Sequence, residues 1–593
     1  MTDYLGDPGP VDEISQDNRF SLPIPAPRLP GANPGARLTA LTTALALVLT
    51  GGVVTAAWRS FQSHTAPERL VPSTAFAVGT FDLGMRGQSD ALMNFANHFP
   101  GSPTHHGDGS AVDRVLRAAM HDSSDPRVDY DHDVKPWLGD HVALAGWIDK
   151  AGKPQMEGLL ETTDESAARH ELDKLIRNGQ GAVTFTDGYA VLGNNPAAVQ
   201  ESVDAAHHSS LADNNTYAAD IDALPGDPAL TGWIDGPGAR KAIEAALSPG
   251  DARMFQQMAP MGPLSMFGPL GLVGAAGTAG VGGAAGGAFG SGSALTGRTA
   301  VGVRVADNYV EIDARSTGAS AQHQTSTTSL RALPATTIAA VELGNPSALV
   351  NAATSMLKGF FGFSTHISVS DCAVAVPESV PPASTVPLNI PHRKRILREL
   401  ERARHQAQVI PSKSGKARCP RELPMPQPPD PLKQIEQSTG LQLPADATTV
   451  LGDSLLASYG GLSLTGVPKV AVRTHPADLS AARAVLDKVQ THLGVTSTFP
   501  LAVDTSGDDL VLATSSDYVN DVEQSGSLGE QARVQLALGS LPDAVEAAGY
   551  VDLSKILPLL GSLPRDVQAL KAIGFWTALD NGVQQSQLRV VVG

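Results

Sequence analysis

Asp129, Asp131, Asp133 and Asp140 fall at positions 1, 3, 5 and 12 of an acidic loop, the spacing with which an EF-hand gathers calcium. Such a loop bends at a glycine in position 6. Here Val134 stands there, Pro136 follows, and the closing ligand is Asp in place of a bidentate Glu. The stretch reads either as a weak calcium site or as a solvated acidic turn. His105-His106 with Asp108, and His207-His208, offer further ligand types. Adjacent residues on a helix point apart, however, and no third ligand lies at a useful spacing, so neither a metal centre nor a cofactor is expected.

Gly452-Asp453-Ser454-Leu455 resembles the block that names the GDSL esterases, in which the serine is the nucleophile. That family carries its block on the first strand of the catalytic domain and completes a triad with a later Asp-x-x-His. In this chain the block lies late. His475 and His492 are the histidines that follow it, and neither has an aspartate three residues before it. The sequence offers Ser454 as a nucleophile without an evident base.

Cys372 and Cys419 are the two cysteines. Outside the cytoplasm they would oxidise, and a disulfide over that separation would contribute ~4 kcal/mol in the chain-entropy model. Two free thiols are the alternative. Between them, HRKRILRELERARH (392–405) places Arg393, Lys394, Arg395, Arg398, Arg402 and Arg404 beside a narrow apolar stripe of Ile396, Leu397, Leu400 and Ala403. Such a basic helix either contacts anionic lipid or an acidic envelope polymer, or pairs with the acidic body of its own protein.

The elements that must position these residues follow from length and patterning. A chain of 593 residues exceeds what one core sustains, and a hydrophobic content of 42% is that of a folded protein. The net charge of −17 argues against nucleic acid as a partner, because phosphate binding needs a basic footprint. Residues 38–58, LTALTTALALVLTGGVVTAAW, carry no charge and lie between Arg37 and Arg59. As a helix they reach about 30 Å, enough to cross the hydrocarbon layer. The 37-residue tail before them holds seven prolines, unlike the short basic start of a signal peptide. The expectation is an uncleaved single-pass anchor in the cell membrane, with the Pro-rich tail (1–37) cytoplasmic and a large ectodomain outside after a linker (59–70).

The ectodomain repeats itself. Trp137-Leu138-Gly139-Asp140 is echoed by Val450-Leu451-Gly452-Asp453, and Ser166-Ala167-Ala168-Arg169 by Ser480-Ala481-Ala482-Arg483. Gly232-Trp233-Ile234-Asp235 is echoed by Gly549-Tyr550-Val551-Asp552. These landmarks keep their order at offsets of 313, 314 and 317 positions. Asp164 and Asp478 are expected N-caps of helices, and TDGYAVLG and GDDLVLAT are expected hairpins. The predicted fold class is α+β: two internally repeated lobes of mainly antiparallel sheet with helices, behind one transmembrane helix. The lobes span 71–317 and 333–593, joined by a linker at 318–332. The first contains a Gly-rich insertion at 254–297, the second a polar, Pro-rich one at 364–429.

The landmarks STAFAVGTFDL, DVKPWLGD (Asp133–Asp140), DGYAVLG (Asp187–Gly193), LATSSDYV (Leu512–Val519) and GYVDLSK (Gly549–Lys555) resemble the uncharacterised bacterial family catalogued as domain of unknown function 3352. The likeness covers about residues 72–592 without the insertions. It implies single-pass envelope topology and supplies no activity, ligand or catalytic residue. Two readings of function stand: a non-enzymatic envelope protein that binds or scaffolds a protein, lipid or polymer partner, and an envelope hydrolase using Ser454. A lipid carrier is a third, and would need a continuous apolar cavity.

Overall fold

The computed structural model describes residues 66–246, 297–350 and 436–593, with short interruptions at 86–87, 101–109, 111, 115, 118–128, 177–180, 319–322, 348–349, 438–439, 464–465, 494–501, 525 and 561–564. The Pro-rich tail, the apolar segment 38–58, the Gly-rich insertion up to residue 296, both cysteines and the basic stretch Arg393–Arg404 lie outside the described residues. Among those described, no helix is long and apolar enough to cross a membrane.

The chain forms two compact units, one taking residues up to Ala321 and again from Glu530 to Gly593, the other Gln322–Gly529. The first unit opens with β1 (Ala77–Asp82), β2 (Leu138–Ile148), β3 (Pro154–Thr162), β4 (Ala182–Thr186), β5 (Tyr189–Gly193), β6 (Leu230–Asp235), β7 (Arg298–Ala306) and β8 (Tyr309–Thr317). Its longer helices are α1 (Ser89–Asn97), α2 (Glu165–Ile176), α3 (Pro196–His208), α4 (Asn215–Asp222) and α5 (Gly236–Ala246). The second unit holds β9 (Ala339–Leu343), α6 (Ala445–Leu451), β10 (Leu455–Leu462), β11 (Pro468–Thr474), α7 (Leu479–Leu493), β12 (Ala502–Ser506), β13 (Asp509–Ala513) and α8 (Ser516–Glu523). The chain then returns to the first unit with α9 (Ala532–Leu538), β14 (Ala547–Asp552), β15 (Leu570–Asp580) and β16 (Val583–Val592).

The fold is α+β, with extensive antiparallel sheet. Strand order in the first unit is β14-β15-β16-β8-β7-β6-β1-β2-β3-β5-β4, and in the second β12-β13-β11-β10-β9. The compact units therefore divide the chain differently from its sequence landmarks: β14, β15 and β16 belong to the first unit through the pairing of β16 with β8.

Local chemistry explains the elements. Asp164 Oδ1 accepts from the backbone N–H groups of Ser166 and Ala167, both at 3.0 Å, and starts α2. Asp478 Oδ1 accepts from Ser480 and Ala481 at 2.9 and 3.0 Å and starts α7. These backbone bonds hold both carboxyls below the usual range. The Asp187-Gly188 turn joins β4 to β5, and Gly507-Asp508 joins β12 to β13, as the hairpin patterns required.

The first unit buries both faces of its sheet around β3. Leu160 points into a core with Trp137, Leu92, Leu172 and Val142. Its neighbour Leu159 points to the opposite face, among Trp147, Val199, Val203 and Leu211. Strands covered on both sides read as continuous apolar runs, which accounts for GLL in β3 and YAVLG in β5. Leu172 is fully buried on the inner face of α2. Replacing Leu172 with Ala should cost ~2–5 kcal/mol through lost burial and the cavity left behind. A urea midpoint for the first unit equal to that of the unaltered protein would refute this packing.

Candidate functional site

Residue types that elsewhere bind or catalyse gather in the first unit where β7, β8 and β16 lie side by side. Register sets Arg304 opposite Glu311 across β7 and β8, and Glu311 opposite Arg589 across β8 and β16. Two residues along, Asp313 faces Gln587. Cross-strand neighbours on one face touch, so the alternation of the strands alone brings these side chains together.

Glu311 is 1% exposed and bonded by both guanidinium groups, Arg304 through Nη2 and Arg589 through Nε. Arg304 Nη2 also donates to Asp313 Oδ2 at 3.0 Å. Gln587 Nε2 donates to Glu311 Oε2 at 3.1 Å and Asp313 Oδ1 at 3.3 Å. Its Oε1 accepts from Trp576 Nε1 at 3.0 Å. Arg589 Nη1 reaches the Leu536 carbonyl of α9 at 3.0 Å, and its guanidinium carbon lies 4.5 Å from the centre of the Tyr309 ring. Burial pushes the Asp313 carboxyl up, against the pull of Arg304 and Arg589, and pushes the Arg589 guanidinium down.

A cleft of about 310 Å³ opens beside this network, lined by Gln88, Asp227, Arg304, Val305, Ala306, Tyr309 and Glu311. Gln88 forms one wall, its Oε1 accepting from Val305 N at 2.8 Å and its Nε2 donating to the Asp227 carbonyl at 2.6 Å. Two cations meet two anions, and the network is internally neutral. It holds no nucleophile, and its carboxylates are already committed to guanidinium and amide donors. Chemically the network can bind and orient charge.

The other candidate groups are placed as follows. Ser454 meets His475 through backbone, His475 N donating to the Ser454 carbonyl at 3.1 Å. His475 Nδ1 lies 2.9 Å from Asp509 Oδ1, a pairing of histidine and carboxylate that sequence spacing did not reveal. Among the described contacts no hydrogen bond joins the Ser454 hydroxyl to His475, so the nucleophile is not coupled to that imidazole.

Asp129, Asp131, Asp133 and Asp140 are each engaged within the protein. Asp129 Oδ1 accepts from Asp131 N and His132 N at 2.9 and 3.1 Å, capping the turn at Tyr130–Val134. Asp131 is held by Arg117 through two bonds of 2.6 and 2.7 Å. Asp133 Oδ2 accepts from Asp129 N at 2.8 Å, and Asp140 lies within β2. His207 pairs with Asp187 on the surface at 3.3 Å. Among the described residues no three His, Cys, Asp or Glu groups gather to hold a metal ion.

The buried network was missed in sequence, although VGVRVADNYVEIDARS carries its signal. Arg304, Glu311 and Asp313 occupy alternate strand positions where an apolar side chain is the usual choice. No family model, curated protein or solved structure matches this chain.

Removing one partner of a buried ionic network leaves a desolvated charge behind. Glu311→Ala, which takes the buried carboxylate from between Arg304 and Arg589, should cost about 3–5 kcal/mol. Equilibrium denaturation reads this directly, and a loss below about 1 kcal/mol would mean that the network contributes no more than a surface pair.

Proposed function

We propose that this protein is a non-enzymatic ectodomain that binds or scaffolds a partner in the cell envelope, tethered by the apolar segment 38–58 with its N-terminus cytoplasmic. The observation that carries the reading is the neutral network around Glu311. The buried charge around Glu311 joins strands from distant parts of the chain, which is a structural use of charge. The adjoining cleft, walled by Gln88, Asp227, Arg304 and Tyr309, supplies polar and aromatic groups for recognition. In this reading the Cys372–Cys419 disulfide would brace the second insertion, and Arg393–Arg404 would meet the acidic partner surface or lipid.

The proposal includes two repeated lobes and kinship with the envelope family catalogued as domain of unknown function 3352. Strand order supports the repeat: β1-β2-β3-β5-β4 in the first unit has the same sequential pattern as β9-β10-β11-β13-β12 in the second. Asp313 is the fifth residue of β8 and Gln587 the fifth of β16, and register pairs them with each other. That is the arrangement expected where two copies of one hairpin meet about a local two-fold axis.

A second reading, an envelope serine hydrolase, is favoured by the His475–Asp509 pair. A fluorophosphonate probe on the full chain separates the two. The expected result is no labelling at Ser454, together with bound mass in native mass spectrometry that leaves on unfolding. Labelling abolished by Ser454→Ala would replace the binding proposal with the hydrolase.

A further inference from the structure

Strand β3 aims Glu157, Leu159 and Glu161 at the same face of the sheet, the face that α3 covers. The two glutamates are treated differently. Glu161 Oε2 accepts from Asp140 N at 2.9 Å, His141 N at 2.8 Å and His141 Nδ1 at 2.7 Å. Glu157 is 3% exposed, and neither of its carboxyl oxygens has a hydrogen-bond partner. Ser202 of α3 lies beside it, 0% exposed, its hydroxyl outside hydrogen-bond geometry.

Among the described residues no charged group compensates Glu157 from the elements around it. Its cross-strand neighbours are Ala145 on β2 and Gly193 on β5. On α3, Glu201 is engaged by Lys150 N at 2.7 Å and Asp204 by Gln200 at 2.9 Å. On α5, which also packs against β3, Arg240, Lys241 and Glu244 are exposed. An isolated carboxylate in such surroundings is costly, whereas the neutral acid carries an O–H that the Ser202 oxygen can accept.

We propose that Glu157 is a proton-operated latch: neutral, it seats α3 on the sheet; ionised, it draws water beneath α3 and loosens it. The latch reaches the membrane-proximal end of the ectodomain. Helix α3 packs against the short helix Pro67–Leu70, and Ser73 N and Leu211 N bond to the carbonyls of Ser209 and Val71 at 2.9 and 2.7 Å. Loosening α3 would therefore free the segment that follows the proposed anchor, a step that rests on that anchor only for its meaning at the membrane.

Burial raises the Glu157 carboxyl to about 7, with the Ser202 side chain lowering it in part. Because the folded value lies above the unfolded one, the stabilisation is complete below the ordinary glutamate range. It declines as pH rises from there through about 7, and no further loss follows above it.

The test is amide hydrogen exchange on the full chain in detergent, with labelling times scaled for the intrinsic pH dependence. Protection of residues 67–73 and 196–208 should fall roughly tenfold between pH 6 and 8, the change a carboxyl raised into this range imposes. Glu157→Gln should abolish the fall, and so should Glu157→Met, which keeps an apolar chain of similar length if the amide is not accommodated. Glu342→Gln, which removes a buried carboxyl of the second unit also raised to about 7, should leave the fall intact. A flat profile in the unaltered protein, or an equal fall in both Glu157 variants, would overturn the latch. A bound partner detected without any such fall would leave the binding proposal standing and sink only the latch.

Discussion

The pairing of β8 with β16 fixes the architecture of the first unit, and Glu311 is its pivot. The two strands come from positions in the sequence separated by nearly half its length, so their approach is paid for by a loss of chain entropy. Backbone hydrogen bonds alone do not specify register, since a slip by one residue would preserve most of them while turning every side chain over. The ionic network removes that freedom. A slip of β16 along β8 would take Arg589 and Gln587 away from Glu311 and strip the buried carboxylate of two of its donors. Relative to a well-packed apolar core such a network adds little net stability. Its contribution is to make the incorrect pairings expensive.

The same accounting separates the other buried acids. Glu546 receives the Gln584 amide at 2.6 Å, and Glu161 receives three donors. Asp552 is bonded by Arg533 through both carboxyl oxygens at 3.0 Å. Glu157 has none of these. Where a carboxyl meets donors, burial locks geometry. Where it meets none, the cheapest response is to keep its proton, and the fold acquires a dependence on pH. Burial alone therefore does not say whether an acid braces the structure or destabilises it; the donors around it decide.

Much of the fold was legible because its signals are local. The caps at Asp164 and Asp478, the hairpins at Asp187-Gly188 and Gly507-Asp508 and the strands after each Leu-Gly-Asp all depend on neighbours within a few residues. The destination of β14, β15 and β16 was not legible, because it rests on pairing between β8 and β16 rather than on any local pattern. Nor was the burial of Glu157. In PQMEGLLET two glutamates flank Leu159 on one face, a polar pattern that does not announce burial, and the covering helix α3 makes that face interior. The pairing of His475 with Asp509 was hidden for the same reason: 34 residues separate them, and strand order brings them together.

The Gly-Asp pair before Ser454 has a structural cause that bears on its chemistry. Gly452 has φ +60°, and a side chain there would collide with the backbone of His475 and Pro476. Gly139, in the other Leu-Gly-Asp, is constrained by a side chain, since a Cβ there would strike the Glu161 side chain that bonds Asp140 and His141. In both places glycine permits a close approach near the start of a strand. The residue after Gly-Asp is Ser454 in one place and His141 in the other, and His141 serves Glu161. The first residue of the Gly-Asp pair is thus demanded by packing in both places.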